Sequence, residues 1–371
     1  MLRSVVSDEE LCAGVRRLRG DEGLRVRVLR RAPLAAPEIG SGARFERVSL
    51  EIASETIAAV LKEIAPDPIC VTRERRFYEE LAPRLRARVP RPFGAGPLAG
   101  RSDGWVLLEE FPRAERWRPA RAFDVARAIA RVHAQTLGRA PGWLPRPFAR
   151  DLEAQLSHVP GGLERLESLQ RRDPLVRDLA TPRAIALARS LLRSPESVRR
   201  AFAESPESVI HRDLHPGNVW LPRSAEPILF DWEAVCAGPP IFDVTLHFQY
   251  LAIRQLRVPW RGAEIGVFRP GGPTWDRLES VYLAALDAET GGAAPRGAIA
   301  SAANAAFAWE ALYRLGWVAS QLEGATPRLA LRLTRVPGLR RLGAVGDRPA
   351  LFAAWRAMFA DFEARAEALL R

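Results

Sequence analysis

The stretch HRDLHPGNVW (211 to 220) sets an aspartate and an asparagine five residues apart, with a Pro-Gly pair between them. Short apolar pieces surround it, SVI (208 to 210), NVWL (218 to 221) and PILF (227 to 230), and PILF runs straight into Asp231. Apolar runs this short, bounded by turn residues, read as small strands. A loop between such strands that ends in a second aspartate gathers hard oxygen ligands of the kind divalent cations take. Any fold for this chain has to support that loop.

The second constraint is a single residue. Of 55 lysines and arginines only Lys62 is a lysine, so arginine fills every other basic position. A lone lysine is either a chance surface residue or a site that needs a compact ammonium on a flexible stem, which a broad guanidinium does not replace. Its setting, IAAVLKEIA (57 to 65), is an apolar run that reads as a strand. Buried strands seldom carry an unpaired lysine.

Around these features the pattern changes along the chain. DEELCAGVRRLR (8 to 19) reads as an amphipathic helix, and LRVRVLR (24 to 30) and ARFERVSLEI (43 to 52) alternate as half-buried antiparallel strands do. The turn EIGSGA (38 to 43) joins them, and with the strand of Lys62 they form a meander. TRERRFYEELAPRL (72 to 85) reads as a helix with Thr72 as N-cap and Phe77, Leu81 and Leu85 on one stripe, and GWVLLEEF (104 to 111) as a further strand. From Pro112 onward long helices take over: 123 to 137, then near 175 to 195, 241 to 257, 274 to 290, 297 to 322 and 348 to 369. The expected architecture is an α+β, bilobal one. An antiparallel β-sheet lobe with one main helix (1–111) precedes a larger, mostly helical lobe (112–371), joined near 109 to 113.

The formal charge of +11 would suit nucleic acid, but the arginines are spread among nearly as many acids and no basic run of five exists. No run of about 18 uncharged apolar residues suggests a membrane span. The three cysteines, Cys12, Cys70 and Cys236, have no paired spacing for zinc or a disulfide framework. The expectation is a cytoplasmic protein without nucleic-acid or membrane partners, monomeric or homodimeric.

Phosphoryl transfer needs a lysine on the nucleotide phosphates, an acid to hold that lysine, oxygens on magnesium and a carboxylate near the attacking hydroxyl. Each part has a candidate here, in order. Residues 211–218 match the kinase pattern H-R-D-L-x-x-x-N at every fixed position. The plainer alternative is a turn whose Asp and Asn cap backbone groups. It leaves unexplained the FDWE whose aspartate follows Asn218 by thirteen residues, and the one lysine placed before an acid-bearing helix.

HRDLHPGNVWL, followed by LFDWEAVCAGPPIFDV (229 to 244), resembles the aminoglycoside phosphotransferase and choline kinase superfamily, more closely its ecdysteroid-kinase-like branch of small-molecule kinases. EIGSGARFERVSLEI, VLKEI, TRERRFYEELAP and VLLEEF extend the resemblance over roughly 24 to 250. It implies a protein-kinase-like fold and an ATP- and Mg²⁺-dependent transfer of the γ-phosphate to the hydroxyl of a small molecule. Within it Asp213 resembles the catalytic aspartate, Asn218 and Asp231 the magnesium ligands, Lys62 the lysine on the phosphates, and Glu74 its helix acid. Backbone groups of Glu109 and Phe111 would meet the adenine. Asp243 resembles a structural aspartate behind the catalytic loop, supported with His211. Residues 211–218 and 229–243 would then be the catalytic loop and the metal-binding segment.

Two departures matter. The commonest family form has glycine where Arg212 stands; protein kinases carry arginine there, yet they follow with Asp-Phe-Gly and an activation loop, whereas this chain reads Asp231-Trp232-Glu233. A protein kinase and a nucleotide-binding pseudokinase are the alternatives. The glycine loop is also thin, with Gly40 and Gly42 alone, and Ser41 between them reaches a phosphate or is a solvated turn residue. Glu233 meets a cationic substrate or forms a structural ion pair with one of the arginines, and His215 shapes the catalytic loop or touches the substrate. Trp309 and Tyr313, with Trp317, share a helix face that is either core or pocket. The arginines of 326 to 342 would hold an anionic group or line a solvated helix.

Overall fold

A computed structural model of the protein describes residues 6–34, 44–64, 73–97, 104–111, 120–223, 226–251, 255–260, 263–268, 273–322 and 347–371. The expectations placed on Gly40, Ser41 and Gly42, on Thr72 as a cap and on 326 to 342 lie outside these residues. The chain forms two compact units, Met1–Trp117 with Asn218–Val235, and Arg118–Gly217 with Cys236–Arg371.

In the first unit α1 (Asp8–Arg19) opens with a capping box. The Ser7 hydroxyl accepts the Glu10 N–H at 3.1 Å, and the Glu10 carboxylate accepts the Ser7 N–H at 2.7 Å. Gly20 closes the helix in the left-handed region at φ 67°. The strands β1 (Val26–Leu34), β2 (Arg44–Ile52), β3 (Glu55–Ile64), β4 (Pro92–Pro97) and β5 (Gly104–Glu109) form one antiparallel sheet in the order β1-β2-β3-β5-β4. Leu11 and Val15 of α1 pack with Val48, Leu50, Leu61, Trp105 and Leu107. Since side chains alternate across a strand, Leu61 goes into this core and Lys62 onto the opposite face.

The sequence reading has no strand at 92–97, because PFGAGP is built from residues that weaken strands. The glycines serve close approach instead: a Cβ on Gly94 would stand 3.2 Å from the Val15 nitrogen, and one on Gly96 3.0 Å from the Trp105 indole. The expected continuous helix at 72 to 85 is also corrected. Segment α2 (73–84) begins as α-helix, widens into a π turn at Phe77–Leu81, tightens into a 3₁₀ turn at Ala82–Arg84 and is extended by Leu85. Pro83 accounts for this, since it offers no N–H and its ring crowds the preceding turn. NVWL and PILF do pair, as the two-residue strands Val219–Trp220 and Ile228–Leu229.

The second unit is helical: α3 (Arg121–Thr136), α4 (Val159–Arg172), α5 (Pro182–Arg193), α6 (Glu196–Glu204), α7 (Ile241–Leu251), α8 (Trp275–Glu289), α9 (Arg296–Gln321) and α10 (Asp347–Leu370). Helix α3 packs on α8, and α9 on α4, α7 and α10. A Cβ on Gly162 of α4 would lie 1.8 Å from the Gly316 carbonyl oxygen of α9, so these two backbones touch directly. The helix expected near 175 to 195 is split, because Thr181 caps a new helix beginning at Pro182. Of the helix expected at 241 to 257, Ile241–Leu251 is helical, whereas Gln255–Trp260 pairs with Ala263–Phe268 as a hairpin. Strand Ser208–Ile210 pairs with Cys236–Gly238, bracketing HRDLHPGNVW. Among the described residues no helix is long and apolar enough to cross a membrane.

Candidate active site

The first unit gathers charge around Lys62. Its Nζ lies 2.8 Å from Glu74 Oε2, 2.5 Å from Asp231 Oδ1 and 3.3 Å from Glu233 Oε2. The Lys62 side chain is 6% exposed and that of Glu74 0%, whereas Asp231 and Glu233 are 32% and 25% exposed. Burial alone would lower the Lys62 pKa; the carboxylates of Glu74, Asp231 and Glu233 outweigh it and hold the ammonium above the usual lysine range. Burial pushes the Glu74 carboxyl up to about 7, against the opposing pull of Lys62. Glu74 comes from the first turn of α2, and Lys62 from the face of β3 turned away from the α1 core.

Asp231 sits in the left-handed region, φ 67° and ψ 61°, immediately before a 3₁₀ turn at Trp232–Ala234. A non-glycine residue in this region stores strain that the surroundings must hold. Trp232 does the holding, with its ring stacked on Phe77 at 4.2 Å and its indole N–H donated to the Leu229 carbonyl at 2.9 Å. The short turn brings Glu233 to the same lysine as Asp231, an ion pair with Lys62 where the sequence suggests a cationic substrate or an arginine. Asn218 is buried, and its carbonyl accepts the Phe230 N–H at 3.1 Å.

At the end of β5 the N–H groups of Glu109 and Glu110 are committed to the sheet, donating to the carbonyls of Arg91 at 2.9 Å and Ala58 at 3.2 Å. The Phe111 ring lies 5.4 Å from Trp220 and 5.7 Å from Phe230. All three aromatics are partly exposed, and the Trp220 Nε1 is buried with no hydrogen-bond partner among the described residues. Sequence reasoning missed Trp220 and Phe230; their signal was the aromatic residues of the two short strands flanking the loop.

In the second unit the loop 211–217 is held from behind by Asp243 on α7. Its Oδ2 accepts the His211 N–H at 2.6 Å and its Oδ1 the Arg212 N–H at 2.8 Å. His133 Nε2 is 3.2 Å from the same Oδ2, and His133 Nδ1 2.9 Å from the Tyr282 hydroxyl. His133, Tyr282 and Asp243 are all fully buried. In the neutral imidazole Nε2 must carry the hydrogen, because a carboxylate only accepts, and Tyr282 then donates to Nδ1. His133 and Tyr282 were not legible as supports, since each lies on the apolar face of an ordinary helix. Arg212 has φ 65°, so the position that is commonly glycine in the resembling family is left-handed here.

Asp213 has His215 Nε2 3.6 Å from its Oδ2. Burial would raise its pKa, but hydrogen bonding from His215, with the positive charge of Arg314, brings it below the usual aspartate range, so it is a carboxylate at neutral pH. Trp309 is core, 3% exposed and against Phe148, while Tyr313 at 37% and Trp317 at 45% face outward on the same helix. The expected stripe is therefore divided between core and surface.

Asp231 and Glu233, both partly exposed, present hard carboxylate oxygens of the kind magnesium takes, while the fully buried Glu74 beside them is held by Lys62. The partly exposed rings of Phe111, Trp220 and Phe230 suit the face of a flat heteroaromatic base.

Residues 35–280 match the model of a family described as the phosphotransferase enzyme family. Comparison with curated protein sequences finds no match. Among solved structures the chain is similar to a choline kinase from Cryptosporidium parvum Iowa II, with 12% identity, a TM-score of 0.50, and 98% of this chain and 96% of that one covered. It is also similar to an aminoglycoside phosphotransferase from Alicyclobacillus acidocaldarius, with 16% identity, a TM-score of 0.49 and coverage of 92% and 93%. A macrolide 2'-phosphotransferase from Brachybacterium faecium shows 18% identity, a TM-score of 0.45 and coverage of 87% and 96%. The first of these likenesses is one of fold, α+β and protein-kinase-like.

Proposed function

The chain belongs to the phosphotransferase enzyme family, and on that premise we propose that it transfers the γ-phosphoryl group of ATP, with Mg²⁺, to a hydroxyl of a small molecule. The observation that carries this reading is the buried Lys62, the chain's one lysine, paired with a fully buried Glu74 and with Asp231.

Lys62 binds the nucleotide phosphates as a point charge, and Glu74 keeps its ammonium aimed. Phe111, Trp220 and Phe230 seat the adenine against their rings. Asn218 and Asp231 would hold the magnesium ion, with Glu233 adding negative charge to the same cluster. When bound, the ion neutralises charge on the phosphate oxygens. Asp213 takes the proton of the acceptor hydroxyl as its oxygen bonds to the γ-phosphorus and the bond to the β-phosphate oxygen breaks, releasing ADP. Asp243 fixes the backbone of the loop that carries Asp213. Positioning and charge neutralisation, rather than covalent chemistry on the protein, supply the acceleration.

A panel of hydroxyl compounds coupled to ADP release tests this reading. Asp213→Ala is expected to abolish turnover while ATP still binds, and Asp231→Ala to remove the Mg²⁺-dependence of ATP binding measured by thermal shift. Near-normal turnover in the Asp213 variant overturns the mechanism.

A further inference from the structure

His215 is clamped on two sides within the second unit. The Gly217 N–H donates to His215 Nδ1 at 2.9 Å, which leaves Nε2 as the hydrogen-bearing nitrogen of the neutral ring. That nitrogen is the one 3.6 Å from Asp213 Oδ2, and such contacts are often long before substrate binds. Glycine at 217 is required, because a Cβ there would stand 2.6 Å from His215 Cε1. The imidazole also meets the ring of Tyr250, centroid to centroid at 5.3 Å and tilted by 38°.

Tyr250 is itself fixed from α9. The Arg314 Nη2 donates to its hydroxyl, and the guanidinium lies over its ring at 5.2 Å. Arg314 Nε in turn donates to Glu310 Oε1 at 2.7 Å, one turn earlier, with side chains only 18% and 9% exposed. An exposed pair of this spacing would be a surface staple; a buried one carries a desolvation cost and is retained where it fixes a geometry. The charged and titratable groups that interact with the Asp213 carboxylate include His215, His211, Arg314 and Tyr250, and His247, which burial holds near 3 and therefore neutral, interacts with His215.

We propose that Arg314 and Tyr250 are positioning residues that hold His215, with its proton on Nε2, as the hydrogen-bond donor to Asp213. This rests on the reading of Asp213 as the group that receives the acceptor proton. His215 thereby orients the Asp213 carboxylate, and the chain Glu310–Arg314–Tyr250–His215–Asp213 links a long helix to the reacting end of the loop.

The test uses the full chain labelled with ¹⁵N-histidine, together with steady-state ATP hydrolysis in Mg²⁺, water serving as acceptor. The neutral form of His215 is expected to be the Nε2–H tautomer, with its resonances displaced in Asp213→Asn. Tyr250→Leu, and the charge-neutral double variant Arg314→Met/Glu310→Gln, are expected to keep native circular dichroism and a KM for ATP within about twofold. Their kcat should fall about tenfold, a loss confined to the transition state. Tyr250→Phe, which keeps the ring against His215, should recover part of that loss. A proton on Nδ1 of His215, or wild-type kcat in both folded variants, overturns the proposal. An expected His215 spectrum in a protein with no ATP turnover overturns the phosphotransfer reading and, with it, the catalytic sense of the clamp.

Discussion

Lys62 carries one positive charge into a cluster of three carboxylates, so its removal leaves an excess of negative charge more than a cavity. Lys62→Met is expected to destabilise the protein by about 3–5 kcal/mol, the cost of breaking a buried pair on one side. The effect should depend on pH with a definite sign. Glu74 already has its folded-state pKa raised to about 7 from 4.5, and losing Lys62 raises it further. A group shifted upward contributes stability below its ordinary value and loses it as pH rises through the folded one. The drop in melting temperature should thus be larger at pH 8 than at pH 5, read by thermal unfolding at both; an equal drop would mean that Glu74 is not the strained partner. Lys62, Glu74 and Asp231 could be picked from the sequence because a single lysine, a helix acid and FDWE stand in order. That Glu233 shares the same lysine could not, because it depends on the left-handed Asp231 and the tight turn after it, neither of which has a signature in residue type.

Glycines decide how closely the elements approach. A Cβ on Gly14 would lie 2.3 Å from the Trp105 ring, and one on Gly162 1.8 Å from a backbone oxygen. Alanine gains up to ~1 kcal/mol in helix propensity over glycine, whereas overpacking costs about 1–3 kcal/mol or more. Both Gly14→Ala and Gly162→Ala should therefore destabilise. Gly162→Ala should be the worse, because a backbone carbonyl of α9 cannot rotate away as a side chain can. Denaturant midpoints of the two variants check the order. The same closeness explains what was illegible in the sequence. Helix α1, the meander and most long helices follow from period and capping. Strand β4 does not, because its glycines exist for contact with α1 and Trp105, and contact partners are not written in a local pattern. The over-long helix at 241 to 257 has a related cause: a few residues of mixed apolar and polar character fit either period, and the pairing of Gln255–Trp260 with Ala263–Phe268 is what settles it.

At the scale of the molecule, two buried groups give the units opposite responses to acid. His247, fully buried in the second unit, is held at about 3 against an ordinary 6.5. The unfolded chain takes up its proton first, so stability is present above 6.5 and lost as pH falls, by up to ~1.4 kcal/mol for each pH unit. Glu74 in the first unit has the reverse sign. Hydrogen exchange between pH 7 and 5 should show the second unit losing protection as the first gains it, and His247→Gln should remove the former change alone. A uniform loss in both units would contradict this assignment. The division of the chain has a further consequence, in the order of synthesis. When the ribosome has released residue 117, the first unit still lacks the Val219–Trp220 and Ile228–Leu229 strands, the Trp232 ring that stacks on Phe77, and two of the three acids around Lys62. Residues 118–217, which belong to the other unit, must emerge before those pieces arrive. The nascent chain therefore holds a lysine-bearing sheet waiting, electrically incomplete, until a stretch made a hundred residues later is threaded back to finish it.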